Sequence, residues 1–208
     1  MVRTTTLAEK DVFQTPLPHR PLQRVRSTLL VASYGMVQRL GRGDDYLRAL
    51  PRELHPTILG SVAGTWVSAD AAMAHYVACE ALGLSSEEQF AVGLKVGAQI
   101  RGTLFGTLMY LTKEAGATPW SVFPSVPRFW PRLFDGGTVV ISKRGPKDAH
   151  LDIEGVPLID IPYFRNAVRG QITGMLHLVC TRAYVTSRPR ARGEHQQSGT
   201  HAFTIQWV

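Results

Sequence analysis

The sequence predicts an α+β fold: an N-terminal helical layer followed by a four-stranded antiparallel sheet built as hairpin–helix–hairpin. Three observations predict it. Apolar residues recur at helical spacing from Leu22 to about Ala115, with recognisable caps between the segments. After Gly136, Thr138-Val139-Val140-Ile141 and the alternating His150-Leu151-Asp152-Ile153 flank the turn residues Arg144-Gly145-Pro146-Lys147-Asp148. Ile161 to Cys180 then returns to helical spacing, and Ala183–Thr186 and Phe203–Trp207 again read as strands.

Each element has a local reason. Residues 1–21 carry Thr4-Thr5-Thr6 and prolines at 16, 18 and 21, which read as a flexible N-terminal arm before a single domain spanning 22–208. Val25, Leu29, Ala32, Met36 and Leu40 fall on one face of a first helix, Leu22 to Leu40, and Gly41-Arg42-Gly43 breaks it. Asp44 caps a short helical piece from Asp45 to Leu50. Ser68 is an N-cap for Ala69–Leu82, and Gly83 is its C′ residue. Ser85 and Glu88 form a capping-box pattern that launches a long helix to about Ala115. Pro119 to Phe134, rich in proline and aromatics, is a compact, partly helical connector. Asp160 with Pro162 opens the last helix, in which Phe164, Val168, Ile172, Met175 and Val179 form a buried stripe. Gly170 and Gly174 leave a second, shallow face on that helix for another backbone.

Composition narrows the class. A chain of 208 residues buries roughly 70% of its unfolded surface and needs no disulfide or metal to hold a core. Cys79 and Cys180 lack any metal or redox spacing and read as buried thiols of a reducing, cytoplasmic setting. The start of the chain has no apolar leader, and no run of 18 apolar residues occurs, so no integral membrane association is expected. The net charge of +7 comes from 18 Arg and 5 Lys against 16 acids. These charges are dispersed, apart from Arg20, Arg24 and Arg26 near the start and Arg188, Arg190 and Arg192 in a loop. They read as a solvated surface, which disfavours nucleic acid as a partner.

Catalytic motifs are missing. Gly145-Pro146-Lys147 lacks phosphate-loop spacing, and there is neither a G-x-S-x-G elbow nor an H-E-x-x-H pair. The seven histidines show no ligand spacing; His75, next to Tyr76, reads as a core or surface residue. No catalytic residue, metal ligand or cofactor is assigned, and an enzyme is disfavoured. One anomaly stands out. Leu94, Arg101 and Leu108 lie seven residues apart, and Phe90, Gly97 and Leu104 share their face, so Arg101 rises from an apolar stripe. A buried guanidinium needs a partner. That partner is Glu80, Asp152 or solvent reached by snorkelling, or else the carboxylate or phosphate of a bound ligand. Gly93, Gly97, Gly102 and Gly106 are also unusual, because each costs roughly 1 kcal/mol relative to alanine in a helix. Close packing on another helix, within the fold or across a dimer, accounts for them; a glycine-lined gap for a ligand chain is the alternative.

The order helices, hairpin, helix, hairpin resembles the superfamily of heme-NO-binding domains, 4-vinyl-reductase-type domains and TRAPP vesicle-tethering subunits. From about Ser27 to Val208 the chain also resembles an uncharacterised myxobacterial domain family. The residues that carry this second likeness are Val62-Ala63-Gly64-Thr65-Trp66, Ile100-Arg101-Gly102-Thr103-Leu104, Gly145-Pro146-Lys147-Asp148-Ala149 and Pro162-Tyr163-Phe164-Arg165-Asn166-Ala167 with Arg169-Gly170. The superfamily resemblance implies a pocket between helices and sheet, used for heme, small molecules or an acyl chain, and a dimer. Its heme branch implies a histidine shortly before the first hairpin, and this chain has none between His75 and His150. That branch also implies a Tyr-x-Ser-x-Arg pattern, met here only by Val140-Ile141-Ser142-Lys143-Arg144. Its TRAPP branch implies a lipid tunnel with a cysteine at the mouth, for which Cys79 is the candidate.

The expected function is therefore a non-enzymatic ligand-binding or sensory domain, acting as a homodimer, for a small apolar or acyl ligand. Its pocket is anchored by Arg101 and walled by Trp66, Phe105 and Phe164. The alternative is a dimeric tethering or scaffold module with a filled core, in which the four glycines are packing devices.

Overall fold

The computed structural model describes residues 12–16, 20–99, 118–188 and 198–208. Two antiparallel sheets and a layer of helices surround one main core. The larger sheet begins with β1 (Val12–Gln14) and is completed by β5 (Thr138–Gly145), β6 (Asp148–Glu154), β7 (Ala183–Ser187) and β8 (His201–Trp207). Its order is β1-β5-β6-β8-β7. The expected hairpins are present, but the sheet has five strands rather than four. Val12–Gln14, from the segment read as an arm, pairs with Val140–Ser142 at the edge of β5, with Phe13 opposite Ile141. Three residues are too short a run to show strand periodicity, so sequence spacing does not reveal β1.

The smaller sheet is a second departure. Residues 24–26 read as the opening of a helix, yet Arg24–Arg26 is β2, which lies between β3 (Trp66–Ser68) and β4 (Phe134–Asp135). Val25 is fully buried opposite Val67 and Phe134, while Arg24 and Arg26 alternate to the outer face opposite Ser68 and Trp66. The pairing comes from strands about 40 and 110 residues away, and tertiary context of this kind overrides local spacing. The first helix, α1 (Ser27–Arg39), starts only after this strand.

Next come α2 (Gly43–Ala49), α3 (His55–Leu59) and α4 (Ala69–Glu80). Ser68 caps α4 by accepting from the Ala71 N–H at 3.3 Å, and Gly83 takes φ +65° just beyond its end. The capping box at α5 (Ser86–Gln99) is formed in both directions: the Ser85 N–H donates to Glu88 Oε2 at 2.8 Å and the Glu88 N–H donates to Ser85 Oγ at 3.2 Å. The expected continuation of this helix, with Arg101, Gly102, Phe105 and Gly106, lies outside the described residues. The aromatic connector is partly helical, with α6 (Pro119–Val122) and α7 (Val126–Leu133).

The last helix, α8 (Pro162–Leu176), organises the interior. Toward α5 the two backbones nearly touch. A Cβ on Gly93 would stand 1.9 Å from the Ala167 carbonyl oxygen, one on Gly97 2.5 Å from that of Gln171, and one on Gly170 2.1 Å from that of Phe90. Only glycine fits these three positions. Polar bonds close the flank of the seam: Asn166 Nδ2 donates to Gln89 Oε1 at 2.7 Å, and Arg169 donates to Asn166 Oδ1 and to the Val185 carbonyl. The Glu80 carboxylate accepts from the Tyr163 N–H at 2.6 Å, placing negative charge at the N-terminus of α8. On its other side, α8 presents Ile172, Met175 and Leu176 to Ile141 and Leu151 of the sheet.

Candidate functional site

Where α1, α2 and α4 meet the first turn of α8, five side chains form a buried polar chain. Tyr46 Oη lies 2.6 Å from His75 Nδ1. His75 Nε2 lies 3.7 Å from the Cys79 sulfur, one turn along α4. Ser33 Oγ contacts that sulfur at 3.8 Å and Tyr163 Oη at 3.3 Å. Tyr46, His75, Cys79 and Tyr163 are wholly buried and Ser33 nearly so. Aromatic edges wrap the chain: Tyr34 on Tyr46, His75 on Tyr76, and Tyr76 on Phe164, with the last two pairs 4.7 Å apart.

Burial sets the protonation of this chain. Removal from water pushes the His75 pKa down to about 3, so the ring is neutral. Burial first, with weaker hydrogen bonds from Ser33 and Tyr163 opposing it, pushes the Cys79 thiol up to about 12. Burial also raises Tyr46, Tyr76 and Tyr163 above the ordinary phenol range. Every member is therefore uncharged at neutral pH, and Cys79 is a thiol rather than the thiolate that nucleophilic chemistry requires. The chain satisfies its own polar atoms inside the core. Among the described residues no group of three or more His, Cys, Asp or Glu side chains is placed to hold a metal ion.

A different space lies between the helical connector, α8 and the sheet. Val122, Phe123, Val126, Ile141, Leu151, Ile172, Met175 and Leu176 line a partly open hollow of about 50 Å³. All eight side chains are apolar. A water there would find no side-chain partner, so the hollow suits a small apolar guest better than a water. A wider groove of about 370 Å³ opens at the surface beside Arg20, Trp130, Pro131 and Asp135.

The residues expected to form the pocket are distributed as follows. Phe164 is buried against Tyr76, beside the polar chain. Trp66 is half-buried on the outer face of the small sheet, with the Arg26 guanidinium 4.1 Å and that of Arg24 5.4 Å from its ring. Trp66 and Phe164 thus take different partners: guanidiniums for the first, Tyr76 for the second. Gly93 and Gly97 face α8 of the same chain. Arg101, Phe105, Gly102 and Gly106 lie outside the described residues, and Glu80, a candidate partner for Arg101, bonds Tyr163 and Gln89. The sequence shows His75 and Cys79 singly but not the chain they form, because Ser33, Tyr46 and Tyr163 come from other elements. No periodicity marks the hollow, since its eight residues come from five elements and the turn after α6.

No protein-family model matches the chain, and no curated protein does. Solved structures do. A mutant of the H-NOX protein from K. algicida, in its Fe(II) unliganded state, superposes with a TM-score of 0.62 at 11% identity, covering 88% of this chain and 96% of that one. A mutant of T. tengcongensis H-NOX gives 0.55 at 12% identity, covering 88% and 97%. A Cs H-NOX mutant carrying the unnatural residue 4-cyano-phenylalanine gives 0.52 at 11% identity, covering 88% and 96%. The fold is H-NOX-like. Among the described residues no helix is long and apolar enough to cross a membrane.

That fold raises the question of heme, and the described residues supply no site that fits it. No histidine occurs between His75 and His150. His75 is enclosed, with Tyr46 at one ring nitrogen and Cys79 at the other. The hollow under the sheet is about 50 Å³, whereas pockets for sizeable ligands take roughly 300–1,000 Å³. Ser142 and Arg144 alternate with the buried Val139 and Ile141, so they face away from the core, where Arg144 Nε donates to His150 Nδ1 at 2.9 Å.

Proposed function

We propose that the chain is a non-enzymatic ligand-binding or sensory domain, working as a cytoplasmic homodimer, whose guest is a small apolar molecule held between α8 and the sheet. The wholly apolar hollow bounded by Ile141, Leu151, Ile172 and Met175 carries this reading. Its position, between helices and sheet, is the one the superfamily resemblance implies for a pocket. Its size suits a guest of a few heavy atoms, and its eight apolar side chains offer no charged anchor. The test is methyl NMR of the protein under xenon pressure. Shifts confined to the methyls that line the hollow, and suppressed by Val126→Phe, are expected. No perturbation at these methyls, together with native mass spectrometry that finds no retained molecule, would overturn the reading.

A second reading, a dimeric tethering or scaffold module with a filled core, draws support from the glycine seam. There α5 and α8 exclude even one methyl group. It predicts xenon-insensitive methyls and a dimer mass by light scattering.

A further inference from the structure

We propose that the outer face of the small sheet, with the loop 60–65 and the exposed side of α7, docks on an anionic lipid bilayer. Strand alternation builds this face. Val25, Val67 and Phe134 point inward and are buried, so Arg24, Arg26, Trp66, Ser68 and Asp135 point outward. Arg20 and Arg24 both pair with Asp135. Arg26 Nε donates to the Arg132 carbonyl at 3.0 Å and its Nη1 to the Gly64 carbonyl at 2.5 Å, which ties the sheet to α7 on one side and to the loop on the other. Arg128 and Arg132 are exposed one turn apart on α7. Arg20, Arg24, Arg26, Arg128 and Arg132 thus set five guanidiniums on this side of the molecule against Asp135, which pairs with the first two, and the exposed Asp70 and Glu154 at its margins.

The apolar component sits in the same place. Val62 is 70% exposed and Leu59 44% exposed. The loop that displays Val62 is pinned rather than slack: its carbonyl accepts from Ser27 Oγ at 2.6 Å and from Thr65 Oγ1 at 3.0 Å. An exposed aliphatic tip held beside a group of guanidiniums matches an interface with acyl chains below and anionic headgroups above. The groove lined by Arg20, Trp130, Pro131 and Asp135 adjoins this face.

Single-stranded nucleic acid also attracts basic faces, but it binds through aromatic rings free to stack on bases. Here Trp66 is covered by the guanidiniums of Arg24 and Arg26, Arg132 lies 4.9 Å over Phe129, and Trp130 is stacked on Phe134. The apolar groups left outermost are aliphatic. The bilayer is the better match.

Cosedimentation of the full chain with vesicles tests this. At ~100 mM NaCl, phosphatidylcholine vesicles with about 30% phosphatidylserine are expected to bind at least about tenfold more tightly than pure phosphatidylcholine, because each basic side chain near such a surface contributes about fivefold. Arg20→Gln/Arg24→Gln/Arg132→Gln is therefore expected to lose about a hundredfold. Val62→Ser, which leaves the charge intact, is expected to lose about threefold. Arg144→Gln/Arg182→Gln/Arg188→Gln removes equal charge elsewhere and is expected to bind as the parent does, and every variant is expected to keep a cooperative thermal unfolding transition. The proposal is overturned by failure of the parent to bind, by equal affinity for both vesicles, by equal loss in the second triple variant, or by no loss in Val62→Ser. It is overturned too if a labelled oligothymidylate binds the parent, the first triple variant abolishes that binding, and vesicle binding does not change.

Discussion

The two long faces of α8 are packed in opposite ways. Toward α5, glycines at 93, 97 and 170 bring backbone against backbone, and a single added methyl group would overlap a carbonyl oxygen. Toward the sheet, branched and long side chains meet and leave about 50 Å³ unfilled. The lesson is that one helix can be clamped on one side and loosely held on the other. Small residues give a fixed geometry with no room to adjust, while large ones tile a surface with gaps. Of these two sides, as the described residues form them, the second is the one that leaves space.

The sharpest way to break this contrast is to add carbon to the clamped side. Gly93→Ala and Gly170→Ala are each expected to cost about 3 kcal/mol or more, because the new Cβ meets backbone that cannot turn aside. Gly35→Ala in α1, where nothing stands within 4 Å, is expected to gain about 0.5–1 kcal/mol. Urea unfolding reads both. A cost below about 0.5 kcal/mol at Gly93 would mean that the helices are farther apart than described.

At the first turn of α8, where the polar chain sits, the expected effect grows with acidity. The native pKa of His75, about 3, lies below the ordinary histidine value of 6.5, so the unfolded chain takes up a proton that the folded chain refuses. Stability is therefore unaffected above about pH 6.5 and falls as pH drops from there toward about 3, by up to about 1.4 kcal/mol per pH unit. Unfolding curves at about pH 7, 5.5 and 4.5 check the slope, and His75→Gln should flatten it. A slope retained in that variant would place the proton uptake on another group.

The smallest expected effect sharpens the loose side. Val126→Ile adds one methylene toward the hollow and is expected to gain about 0.8 kcal/mol while weakening the xenon response. A loss of stability instead would show that the space is already shared by neighbouring side chains.

Much of this contrast is legible from residues alone, though not its geometry. The Ser85/Glu88 box and the Ser68 cap are local, join side chains to partners three residues away, and form as expected. The glycines of α5 and Gly170 are each visible as invitations to close contact, but sequence spacing does not say that they invite one another. β2 is hidden because Val25 happens to keep helical spacing with Leu29, and its true partners lie far along the chain. The hollow is invisible for a deeper reason. A gap is what several distant side chains fail to fill, and no single residue carries its signature.

The three-residue strand β1 has a consequence for the fate of the chain. It occupies the hydrogen-bonding rim of β5, on the opposite edge of the sheet from β7. Loss of β1 would bare Val140–Ser142 in the middle of the eight-residue β5, with amides and carbonyls unpaired, a template onto which the same strand of a neighbouring molecule could add. So few residues would then separate a discrete particle from a growing polymer.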